Sequence, residues 1–282
     1  MKKLPQITLI FWIMKIAATT LGETAGDLLA QTMKVGYAVS SLILVGLFLA
    51  SLVTQLRAKR FHPVLYWTVI LSTSTAGTTI SDFMNRTAGL GYATGALVLI
   101  TGLMVVFVVW RLSGYTFAVE EISSFRGELL YWVAILFSNT LGTSLGDFLA
   151  DNTGLGFGGG ALVVGGAIVV TVLAKYFTPI SGTLLFWIAF VLTRPLGATT
   201  GDFFSKPVAK GGLGYGTIGA SAILAAVLVV LIGYTLFQQR PTVTAAGVGV
   251  DLPRDEALIV GPVISHHPTP APTDTPAFES KS

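Results

Sequence analysis

The chain has 282 residues, of which 52% are hydrophobic and only 11% charged, with a mean hydropathy of +0.75 and a formal net charge of +3. A soluble domain does not carry that balance, and so small a net charge gives no reason to expect nucleic acid or an acidic partner. No cysteine is present, which excludes disulfides, thiolate metal sites and cysteine nucleophiles.

Behind Lys2 and Lys3 an apolar stretch begins that resembles a cleavable signal. Its layout argues instead for the first membrane helix of the mature protein, because the same layout returns three times. Trp12, Gly22, Thr24 and Asp27 recur as Trp67, Gly77, Thr79 and Asp82, as Trp132, Gly142, Ser144 and Asp147, and as Trp187, Gly197, Thr199 and Asp202. In every copy the Trp lies fifteen residues before the Asp, the Gly five before and the hydroxyl residue three before.

A second, smoother apolar run follows each Asp. It opens on Gly36-Tyr37, Gly91-Tyr92, Gly156-Phe157 and Gly214-Tyr215, nine residues after the Asp in three copies and twelve in the fourth, which implies a three-residue insertion there. Pairs four apart, Gly36 and Ser40, Gly91 and Gly95, Gly156 and Gly160, and Gly212 and Gly216, suit close helix packing in lipid.

The expected fold is therefore an all-α integral membrane protein with eight transmembrane helices, from four parallel two-helix repeats at about 6–60, 61–117, 126–178 and 179–239. Their pseudo-rotation axis would run along the membrane normal. Residues 241–282 hold seven of the twelve prolines and no apolar span, so a disordered cytoplasmic tail is expected beyond the membrane domain 1–240. His266 and His267 in that tail are read as incidental.

Lys and Arg counts set the orientation. Lys2, Lys3, Arg57, Lys59, Arg60, Arg111, Arg126, Lys175 and Arg240 face Lys34, Arg86, Lys206 and Lys210, which places both termini in the cytoplasm.

Lys15, Thr19, Glu23 and Asp27 follow one another at four-residue spacing and so share one helix face. Charges at that depth face a bundle interior or water, not lipid. The corresponding stripes are read as Thr75, Thr79 and Asp82, as Thr140, Ser144 and Asp147, and as Arg194, Ala198 and Asp202. Two readings of the aspartates stay open: each caps its own hairpin through backbone donors, or the four converge on a pathway. A break at the central Gly of each first helix is a third arrangement, drawing the Asp inward. Glu23, Lys15 and Arg194 each occur in one copy only, so a shared architectural need does not explain them.

The fourfold G-x-[TS]-x-[GS]-D motif with its following L-G-[YF] resembles a group of bacterial multi-pass proteins defined by a repeat of unknown function. The resemblance covers residues 6 to about 238 and implies an integral protein of the bacterial inner membrane. It implies no activity.

The function expected is a transporter or channel for a small cation such as Mn2+ or Mg2+, its pathway lined by Glu23, Asp27, Asp82, Asp147, Asp202, Thr24, Thr79, Ser144, Thr199, Lys15 and Arg194. Hard oxygen ligands from Glu23 and the four aspartates would suit such an ion as cargo, with no resident cofactor. A carboxylate that releases its proton as cargo arrives would couple the process to protons. A small zwitterion, held by Arg194 and an aspartate, and a non-transporting scaffold whose polar stripes only pack the bundle are the alternatives. No nucleophile–base pair, zinc-protease motif or phosphate loop is present, so no enzymatic activity is expected.

Overall fold

In the computed structural model, which describes residues 4–238, eight long helices account for the fold. They are α1 (Leu9–Asp27), α2 (Tyr37–Arg57), α3 (Pro63–Asp82), α4 (Tyr92–Leu112), α5 (Phe125–Asp147), α6 (Gly156–Phe177), α7 (Gly182–Ser205) and α8 (Gly216–Gln238). Residues 239–282, with His266, His267 and the expected tail, lie outside the described residues, as do Lys2 and Lys3.

Local signals start several of these helices. The Thr8 hydroxyl accepts from the Phe11 backbone N–H at 3.3 Å, the Ser124 hydroxyl accepts from Gly127 at 3.1 Å, and Pro63 occupies the first turn of α3, where a missing N–H costs nothing.

The first helices of the four repeats form a closed ring, α1 on α3, α3 on α5, α5 on α7, and α7 back on α1. Each second helix packs outside, on the first helix of the next repeat: α2 on α3, α4 on α5, α6 on α7, and α8 on α1. Glycines set the closeness of the ring. A Cβ on Gly22 would strike Ser74, one on Gly77 would lie 2.9 Å from the Asn139 backbone, one on Gly142 would strike Arg194, and one on Gly197 would lie 2.5 Å from the Thr19 hydroxyl. In each case the Gly five before one aspartate meets the residue eight before the next, so the same contact runs round all four interfaces.

Six helices are long and apolar enough to cross a membrane: α2, α4, α6 and α8, together with Phe125–Asn152 and Gly182–Ser205. They point to a membrane protein. Only 17% of the most apolar window is buried in α6 and in α8, against 67% in α5, so the outer helices turn leucine and valine outward while the ring helices bury theirs. α1 and α3 fall short of the hydropathy of a span for the same reason. Nearly all of α3 from Ser72 to Asp82 is buried serine, threonine and small residues facing other helices.

Two expectations are corrected. The helix opening equivalent to Gly36, Gly91 and Gly156 is Gly216: all four have positive φ, between 65° and 81°, a conformation that favours glycine. Gly216 lies fourteen residues after Asp202 against nine elsewhere, so the insertion is five residues, and the packing pair is Gly216 with buried Ala220 instead of Gly212 with Gly216. Gly212 instead sits in the inserted loop against the Lys206 backbone. The central glycines break no helix either. α1, α3, α5 and α7 run through them, and α7 runs through Pro195 as well.

Candidate functional site

The ring helices bring one face of each repeat to a common axis, and that face is stacked in layers one turn apart. The outermost is the aspartate layer, Asp27, Asp82, Asp147 and Asp202, all buried. In the first three repeats the helix changes at this residue from α to a five-residue π turn, Leu28–Thr32, Phe83–Thr87 and Phe148–Asn152. None of these three aspartates makes a side-chain cap bond to the turn it precedes, which corrects the capping reading in the first three repeats. The carboxylates turn toward neighbouring repeats instead. Lys206 bridges Asp27 and Asp202, at 3.3 Å from the Asp202 carboxylate, and Gln31 donates a further hydrogen bond to Asp27. Arg86 bridges Asp82 at 3.0 Å and Asp147 at 3.5 Å. Lys206 lies beyond the end of α7. Its burial favours the neutral amine, but the Asp202 and Asp27 charges outweigh this and hold its pKa well above the ordinary lysine value.

One turn deeper come Glu23, Thr78, Thr143 and Ala198, and all four ring helices meet at the glutamate. Its Oε2 accepts from Arg194 Nη2 at 3.0 Å, from the Thr78 hydroxyl at 3.2 Å and from the Thr143 hydroxyl at 3.2 Å. Arg194 rises from the next layer, which it shares with Thr19, Ser74 and Asn139. Its guanidinium also donates to Thr143 Oγ1 at 2.7 Å and to the Ser74 carbonyl at 3.3 Å. Carboxylate oxygens of Glu23, Asp147 and Asp202 lie within 4.8 Å of one another. That is within reach of a single cation, although Asp27 and Asp82 stand outside this group.

Deeper again lie Lys15, Ile70, Ile135 and Phe190, each fully buried. Lys15 Nζ sits 4.2 Å from the centre of the Phe190 ring, a cation–π distance. Below them aromatic side chains fill the ring: Tyr66 and Tyr131 share a 2.7 Å hydrogen bond between their hydroxyls, and Trp67, Trp132 and Trp187 pack around them.

The structure thus brings together Glu23, Asp27, Asp82, Asp147, Asp202, Lys15 and Arg194 on the axis. It sends the hydroxyls three before each aspartate elsewhere. Thr24 accepts from Ser221 of α8 at 2.9 Å, Ser144 meets Ser81 at 2.8 Å and Asn85 at the ring interface, and Thr79 and Thr199 donate to carbonyls of their own helices. The stripes of Thr75 with Thr79, and of Thr140 with Ser144, are therefore one position out of register with Thr19 and Glu23. The inner residues are Ser74 and Thr78, and Asn139 and Thr143. The signal that finds them is the four-residue step counted back from each Asp, as in the first repeat. Arg86 and Lys206, four residues after their aspartates, complete the site by the same step forward.

A family model described as Repeat of Unknown Function (DUF347) matches residues 10–61, 65–116, 130–181 and 185–241, the last stretch five residues longer than each of the others, as the inserted loop requires. No curated protein and no solved structure matches the chain. With four copies of the repeat covering most of its length, the chain belongs to the family of the Repeat of Unknown Function, DUF347.

Proposed function

We propose that this protein is a transporter with eight membrane spans, that its pathway is the axis of the four-helix ring, and that its carboxylate layers hold the positive charge of a small solute. α1 and α3 count as spans although they are not apolar overall. With 19 and 20 residues they reach about 28–30 Å, the thickness of a hydrocarbon core, and their polar faces are covered by the ring. The charge count in the loops favours cytoplasmic termini, with the aspartate layer toward the opposite face of a bacterial inner membrane.

The observation that carries the reading is the seating of amine and guanidine nitrogens among converging carboxylates. The Lys206 ammonium, held between Asp27 and Asp202, stands in the place where an ammonium of the cargo would compete. A scaffold would also pair its carboxylates. Stability does not call for them, though, since buried ion pairs are commonly replaceable by apolar packing at no loss.

A second reading, a divalent ion such as Mn2+ or Mg2+, is favoured by the approach of Glu23, Asp147 and Asp202. Against it, an ion travelling inward along the axis meets Arg194 and then Lys15.

The test is uptake into proteoliposomes of labelled n-propylamine and of Mn2+. Glu23→Gln and Asp202→Asn are expected to lower uptake of the transported species about tenfold or more, the loss of one charged hydrogen-bonding partner, whereas exposed Asp151→Asn leaves it unchanged. Wild-type vesicles that take up neither of these species, nor a labelled ω-amino acid such as 4-aminobutanoate, faster than empty ones would overturn the proposal, and uptake of the ammonium-bearing solutes or of Mn2+ decides between the two readings.

A further inference from the structure

The buried group that the carboxylate layers leave unused is Lys15. It is 0% exposed, and among the described residues its amine has no hydrogen-bond partner. The remainder of its layer is apolar, so its nearest charged neighbours on the axis are Arg194 and, beyond that, Glu23. Neither answers it. Arg194 carries the same charge, and the Glu23 oxygen that faces inward already accepts three hydrogen bonds. More donors without a partner lie within one turn, namely Arg194 Nε and the Ser74 hydroxyl. An ammonium, a guanidine N–H and a hydroxyl, shut away from water with the neutral Asn139 Oδ1 as the one unpartnered acceptor among the described residues of the Arg194 layer, form a chemical environment that a carboxylate completes: two oxygens and one negative charge, able to bridge guanidinium and ammonium.

We propose that Lys15, with Arg194 and Ser74, is a subsite for the carboxylate of the cargo, which is therefore a zwitterion with an ammonium at one end and a carboxylate at the other. This rests on the transport reading given above and deepens it. Read along the axis, the column runs from acidic layers to basic ones, so it is complementary to a solute of opposite polarity. The same order explains why a bare cation is poorly served: the charges that attract it at the aspartate layer are followed by two that repel it. Orientation follows as well. The ammonium end faces the grouped carboxylates of Glu23, Asp147 and Asp202, a span that a short ω-amino acid can cover, and the carboxylate end points to Lys15 and the aromatic floor.

The experiment uses the full chain in detergent, with thermal stabilisation and competition binding as readouts. The probes are ω-amino acids from glycine to 6-aminohexanoate and the n-alkylamines of matching length. Wild type is expected to prefer the amino acids, with an optimum chain length. Lys15→Met is expected to weaken amino-acid binding about tenfold while changing amine binding less than about twofold, and Lys15→Arg to restore most of the loss. Amines bound as well as or better than amino acids of equal length by wild type would overturn the inference and leave the transport reading standing. Binding of neither set, together with uptake of no amine, ω-amino acid or Mn2+, would remove both. If Lys15→Met fails to fold, the preference of the wild type between the two sets decides alone, and equal weakening of both sets by a folded Lys15→Met also overturns the subsite.

Discussion

Without the guanidinium of Arg194, the Glu23 carboxylate would keep two hydroxyl donors and no opposite charge, in a site closed to water. Breaking a buried pair from one side costs about 3–5 kcal/mol, whereas exchanging both partners for apolar groups costs far less. Arg194→Met is therefore expected to lower the detergent melting temperature sharply, and Arg194→Met with Glu23→Leu to recover most of it. Equal melting of the single and double variants would mean that the pair is not coupled in the folded protein. The residues that break the repeat are visible in the sequence because their counterparts differ. Glu23 faces Thr78 and Thr143, and Arg194 faces Thr19, Ser74 and Asn139. That Glu23 pairs with Arg194 is not visible, because they lie 171 positions apart in chain order and one helical turn apart in register. Lys15 shares a helix face with Glu23, yet its amine turns to Phe190.

At the scale of the helix, the ring depends on glycine at four equivalent contacts. A Cβ on Gly77 would lie 2.9 Å from backbone atoms of Asn139 and Thr140, which cannot rotate away, whereas Gly46 on the outer face of α2 has nothing within 4 Å. Gly77→Ala is expected to destabilise the protein, by about 1–3 kcal/mol as an overpacked contact, and Gly46→Ala to leave it unchanged or improve it by up to about 1 kcal/mol through helix propensity. Thermal melts of the two variants check both. The glycine periodicity is plain in the sequence, but it was attached there to the second helices, where small residues at four-residue spacing resemble a packing motif. Some of those do pack closely, since a Cβ on Gly95 would strike Asn85 and one on Gly160 would lie 3.1 Å from Thr199, but the contact that repeats at all four interfaces is between first helices. The misplaced opening of the fourth outer helix has a similar cause: Leu213-Gly214-Tyr215 copies the local motif, while the helix itself opens at Gly216 two residues later, with the positive φ its counterparts share.

For the whole molecule, eight spans and six give different sidedness, and the absence of native cysteine makes this simple to test. Single cysteines at Lys59, between α2 and α3, and at Gly89, between α3 and α4, are expected to react with a membrane-impermeant maleimide from opposite faces of the membrane. Labelling of both from one face would remove α3 as a span and the parallel repeat arrangement with it. The order of elements was set by the sequence alone: four copies, two helices each, a polar first helix and an apolar second one. Those properties are periodic and local, so they survive in one dimension. What the tertiary structure decided is which faces meet. Closing the ring put the residues zero, four, eight and twelve before each aspartate on one axis and turned the neighbouring hydroxyls away from it, Thr24 and Ser144 to other helices and Thr79 and Thr199 to carbonyls of their own. It also left Lys15 as a buried amine over the Phe190 ring with no hydrogen-bond partner among the described residues. Side-chain direction in a closed ring depends on the rotation of each helix about its own axis, which is fixed by contacts between distant repeats and not by spacing within one.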